Sequence, residues 1–95
     1  MSLFGPSVLY PIVEHPLSEL EIKKLVSPYH VDTLKQAEAD LVEQAIVARR
    51  HGDGKISLQQ IYETLTQLKN QGKISRQDRE GLMTDFEQYY KEHFV

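Results

Sequence analysis

The tetrapeptide Gly-Lys-Ile-Ser occurs twice, at residues 54–57 and 72–75, each time leading into an apolar pattern of helical period. Glycine can take the left-handed backbone conformation that ends a helix, and serine can accept from the free N–H groups that begin the next. Each copy therefore reads as a stop followed by a start. Gln60 and Asp78, three residues after Ser57 and Ser75, can reach back to the serine N–H, the first as a good capping box and the second as a weaker one. Ile56 can staple onto Ile61, whereas Arg79 stands at the matching place after the second copy. Two helical hairpins sharing their middle helix are thus encoded locally.

The remaining helices follow from similar signals. Ser18 with Glu21 forms a third capping box, stapled by Leu17 and Ile22. It opens a short helix through Leu25 and Val26 that Pro28 ends, with Tyr29 continuing the apolar spacing. Asp32 is the expected cap of the longest helix, running to His51 and Gly52, with Leu34, Ala37, Leu41, Ala45 and Ala48 as its inward stripe and Val42 and Ile46 widening it. Arg49 and Arg50 suit the negative end of that helix. A third helix from Ser57 to about Gln71 turns Leu58, Ile61, Leu65 and Leu68 inward, with Tyr62 at the edge. A fourth after Ser75 carries Leu82, Phe86 and Tyr89 or Tyr90, and its Gly81 either costs about 1 kcal/mol relative to alanine or marks a close helix crossing. Valine, isoleucine and threonine form no alternating runs, so no sheet is expected. The fold class predicted is all-α: a compact four-helix bundle of two helical hairpins, with residues 17–95 as one helical domain and residues 1–16 as an extended arm.

That arm holds Leu3, Phe4, Val8, Leu9, Tyr10, Ile12 and Val13, interrupted by Pro6, Pro11 and Pro16. The prolines favour an extended path, and the apolar content is too high for a solvated tail. The arm is expected to lie across the helices or across a partner, burying Leu9, Tyr10 and Ile12.

Size and charge narrow the function. Ninety-five residues hide roughly 60 to 70% of the unfolded chain's surface, enough for one core and no two-domain cleft. A net charge of -3 without a basic cluster disfavours nucleic acid, whose affinity depends on grouped Lys and Arg. The absence of cysteine removes thiolate chemistry and thiolate metal sites, and suits a cytoplasmic setting. No apolar run is long enough to span a bilayer.

Asp53-Gly54-Lys55-Ile56-Ser57 resembles the second half of an EF-hand calcium loop. The resemblance implies ligand positions at Arg49, His51 and Gln60, where only Asp53 nearby supplies negative charge, and so a loop descended from that family without its calcium. The run from Ile61-Tyr62 through Leu65 and Leu68 to Gly72 and Ile74 resembles the recognition helix of winged-helix regulators, which implies DNA binding. The family's β-wing should follow, yet residues 76–92 read as a charged helix.

No catalytic or metal-ligating constellation emerges. His15, His30, His51 and His93 fall in separate segments without a His-x-x-x-His step, and no phosphate loop or nucleophile elbow is present. The sequence therefore predicts a non-catalytic protein–protein interaction or regulatory module with no cofactor, whose partner is another protein or itself, as a homodimer through the arm. The candidate contact residues are Leu9, Tyr10 and Ile12 in the arm and Tyr89, Tyr90 and Phe94 at the C-terminus; tyrosine orders a large ring at low entropy cost.

Overall fold

A computed structural model describes residues 10–94. Its helices are α1 (Glu19–Leu25), α2 (Gln36–Arg49), α3 (Leu58–Asn70) and α4 (Arg76–His93), and its two-residue strands are β1 (His15–Pro16) and β2 (Lys55–Ile56). α3 packs against both α2 and α4, so it is the shared helix of two hairpins, and α1 lies on α2 and touches α4. The all-α bundle predicted from the repeated phrase is the fold observed.

Both junctions work through their glycines, in different ways. At the second, Gly72 has φ +77°, the Gly72 N–H donates to Lys69 O and the Lys73 N–H to Leu68 O, a Schellman ending for α3. At the first, α2 has already ended. Arg50 is extended at ψ 152°, and Gly52 (φ 61°) and Gly54 (φ 82°) close a tight turn in which His51 and Lys55 exchange backbone hydrogen bonds of 3.1 and 2.9 Å. Gly52 is thus part of this turn rather than the terminator of the helix.

The expectation that no strand would form is corrected here. Lys55 and Ile56 leave the turn extended, and Ile56 is fully buried, so the polar groups of its backbone need partners away from water. The arm supplies them: His15 pairs with Ile56 and Pro16 with Lys55, antiparallel, and the Leu17 N–H donates to Gly54 O at 3.0 Å. Pro16 has no N–H to give, which suits a strand at an edge.

The caps follow the sequence with three departures, one of them that Asp32 does not cap the long helix, whose N-cap position is Lys35. Ser57 with Gln60 and Ser75 with Asp78 are complete boxes, and the second, expected to be the weaker, uses a buried carboxylate that also accepts from the Thr33 hydroxyl. The Ser18 hydroxyl accepts from the Glu21 N–H at 3.1 Å, but the Glu21 carboxylate lies 4.0 Å from Lys24 Nζ instead of completing the box.

The long helix differs in start and in face. α2 begins at Gln36, where the Glu38 carboxylate accepts from the Lys35 N–H, because Thr33 is engaged by Asp78 and Leu34 is held in a turn by Val31 O. Ala39, Val42 and Ile46 face the core, while Ala37 and Ala48 are exposed and Leu41 is 39% exposed. Leu34, fitted into the expected stripe, is buried from the preceding turn and does not set the helix's phase. Burying Ile and Val stabilises by roughly 1.5–3 kcal/mol each against about 0.8 for a single methyl, so the larger side chains fix the rotation. Tyr29 likewise leaves the pattern of α1 and is 87% exposed.

Leu17, Ile22, Val42, Ile46, Ile61, Leu65, Leu82, Met83 and Phe86 form one core. At Gly81 the close neighbour is the α1–α2 connection and not another helix: a Cβ there would stand 3.1 Å from Val31 Cγ1.

Candidate docking groove

The described part of the arm is fixed to the body of its own chain. The Tyr10 N–H donates to Gln59 Oε1 at 2.8 Å, the Gln59 N–H donates to Pro11 O at 3.1 Å, and the Tyr10 ring rests 5.1 Å from that of Tyr62. Further along, Glu14 Oε2 meets His51 Nε2 at 2.6 Å and accepts from Gln60 Nε2 at 2.9 Å. The bond from His51 holds the Glu14 carboxyl below its ordinary value, although partial desolvation works against this. These ties lead directly into the β1–β2 ladder.

Between the fixed arm and the end of α4 lies a groove of about 420 Å³ lined by Pro11, Val13, His15, Leu58, Tyr90 and Phe94, with Glu87 and Lys91 on its rim. The arm contributes alternate residues, 11, 13 and 15, as an extended chain must when one face lines a surface. α4 contributes 87, 90, 91 and 94, the i, i+3, i+4, i+7 stripe of a helix. The walls are tied by aromatic packing. The His15 ring lies parallel to that of Phe94 at 4.3 Å, and Tyr90 meets Phe94 edge-on at 5.1 Å.

This periodicity sorts the residues proposed from sequence. Tyr90 and Phe94 line the groove, but Tyr90 is otherwise a core residue whose hydroxyl donates to Ile56 O at 2.8 Å. Burial, and secondarily Tyr89, pushes its phenol well above the ordinary range. Tyr10 is half-buried against Tyr62 beside the groove, and burial followed by the Glu87 carboxylate raises its phenol. Ile12, expected to be buried, is 78% exposed and does not line the groove, where its neighbours Pro11 and Val13 stand on the same side of the extended arm. Tyr89 stacks on His93 at 4.0 Å and faces Glu21, so it belongs to another surface. Leu9 lies outside the described residues. Val13, His15, Leu58, Glu87 and Lys91 were not singled out from sequence; period-two spacing back from His15 and helical spacing back from Phe94 were the signals that point to them.

Both family resemblances can be examined at the residues that carry them. In the calcium-like loop, Arg49 pairs with Glu63 at 3.4 Å, His51 with Glu14, and Gln60 Oε1 accepts from the Ser57 N–H. The implied ligand positions are thus occupied by contacts within the chain, and among the described residues no group of three His, Asp or Glu is placed to hold a metal. Where a winged-helix protein would carry its wing, Arg76–His93 is helical. Arg50 joins the end of α2 to the start of α1, donating to Leu17 O at 2.8 Å and lying 3.4 Å from Glu19.

No protein-family model, curated protein or solved structure matches the chain. Among the described residues, no helix is long and apolar enough to cross a membrane.

Proposed function

We propose that this chain is a non-catalytic interaction or regulatory module, acting in the cytoplasm, that docks a protein partner in the groove between its arm and α4. The observation that carries this reading is the groove itself, an aromatic and aliphatic surface whose walls are already held in place. Docking onto a pre-ordered surface avoids the entropy cost of arranging it, and aromatic walls suit a contact that alternates between wet and dry. The partner is a protein or the chain itself. The test is affinity capture with the wild-type chain and with Val13→Asp, which places a carboxylate on the groove wall. Capture of one protein in stoichiometric amount, lost in the variant, is expected. A strictly monomeric protein that captures nothing above background would remove the proposal.

A second reading treats the α2–α3 hairpin as an EF-hand-like helix–loop–helix without its calcium. It is supported by Gly54 at φ 82° and by the fully buried Ile56 in β2, the residues that such a loop keeps for structural reasons. Calorimetric titration with calcium is expected to give no heat, and binding with a rise in melting temperature would reinstate the metal.

A further inference from the structure

The charges on the rim deepen the docking reading, on which the following step rests. Glu87 and Lys91 are exposed, lie four residues apart on α4, and make no ion pair among the described residues. Four residues of helix separate them by about 6 Å along its axis. We infer that the occupant of the groove is a second copy of this chain, packed about a twofold axis with the two α4 helices antiparallel.

An axis passing between Glu87 and Lys91 brings each lysine opposite the glutamate of the other copy, giving two ion pairs from one surface. A rim of this kind complements itself, whereas a uniformly acidic or basic partner is attracted by one of the two residues and repelled by the other. The apolar part is equally suited. Val13 is 61% exposed on one wall of a groove otherwise built from Pro11, Leu58, Tyr90 and Phe94, so each copy offers both a protruding side chain and an apolar recess. Because the arm is held to α3 through Gln59, neither feature has to be assembled on contact.

The experiment is sedimentation equilibrium of the full chain from about 10 µM to about 1 mM. A monomer–dimer equilibrium in the micromolar range is expected, as befits a small interface. Glu87→Lys sets like charges against each other twice and weakens the dimer by about tenfold or more. Glu87→Lys combined with Lys91→Glu recreates both pairs with their signs exchanged and returns the constant to within about threefold of wild type. Val13→Asp abolishes the dimer while the melting temperature of the monomer stays unchanged, since the site is exposed there. A chain that is monomeric throughout, or a dimer indifferent to these substitutions, overturns the inference. If the chain is monomeric yet binds a different protein, and Val13→Asp removes that binding, the second copy is rejected and the docking reading stands. If it is monomeric and binds nothing, both fall.

Discussion

The hydroxyl of Tyr90 donates to the carbonyl oxygen of Ile56 across 2.8 Å, joining the last turns of α4 to the ladder between the arm and the first glycine junction. Both residues are buried, so the bond is made where water cannot replace it. Tyr90→Phe keeps the packing and removes the donor. It is expected to cost about 1–2 kcal/mol, read as a melting temperature lower by roughly 4–8 °C for each kcal/mol. The same burial makes the phenol harder to ionise in the folded state than in the unfolded one. A raised folded pKa means that this part of the stability is complete below the ordinary value of 10.0 and is lost as pH climbs above it. Ultraviolet titration should show the Tyr90 phenolate appearing only together with unfolding; a reversible titration near the ordinary value, with circular dichroism unchanged, would contradict this.

Asp78 carries more of the fold than its place in a capping box suggests. Its carboxylate accepts from the Ser75 N–H at 2.9 Å and from the Thr33 hydroxyl, so it closes the start of α4 and fixes the turn before α2 in one step. Asp78→Ala should destabilise by about 2 kcal/mol: the Ser75 hydroxyl still caps the backbone N–H of residue 78, but the Ser75 N–H and the Thr33 hydroxyl both lose their charged acceptor. Thr33→Val should cost less. In a double-mutant cycle of chemical denaturation the pair should couple by more than about 0.5 kcal/mol, and strict additivity would mean that the two act separately.

How much of this was legible in the sequence depends on the range of the interaction involved. The caps at Ser57 and Ser75, the helix stop at Gly72 and the inward faces of α3 and α4 arise from contacts within a few residues, and they stand where local chemistry places them. The face of α2 was misread because alanines spaced at a helical period look like a core stripe, whereas the larger Val42 and Ile46 decide which side gains most from burial. The ladder at Ile56 could not be read locally. Its partner, His15, is some forty residues away, and two-residue strands leave no alternating run to detect. The groove was half legible: Phe94 and Tyr90 were named, but the facing residues 11, 13 and 15 become a wall only once the arm is known to be extended and attached.

Glu14 and His51 provide a test of that attachment which does not depend on melting. The Glu14 carboxyl is held below its ordinary 4.5 chiefly by the hydrogen bond to His51. A depressed folded pKa means that the contribution is present above the unfolded value and disappears as pH falls through the folded one. Carbon-detected NMR titration of the Glu14 carboxyl should give a midpoint below 4.5, and His51→Ala should move it upward. An unchanged midpoint in the variant would assign the shift to Gln60 or Lys55 instead.

The remaining question is whether the arm is a fixed wall of the groove or a segment that exchanges, and Gln59 decides it. The Gln59 side chain accepts from the Tyr10 N–H, while its own backbone N–H donates to Pro11 O. Gln59→Ala removes the first bond and leaves the second, because alanine retains the backbone donor. Since Gln59 sits half-buried on the first turn of α3 and outside the core, the global melting temperature should fall only slightly. The Tyr10 amide, however, should exchange with solvent deuterium about tenfold faster or more, as expected when a net hydrogen bond of roughly 1.4 kcal/mol is lost from a local opening. The His51 and Lys55 amides, which bond to each other's residue in the turn, should keep their protection. If the Tyr10 amide is already unprotected in the wild-type chain, the arm does not stay on α3, and the groove lacks the preformed wall that its docking role requires.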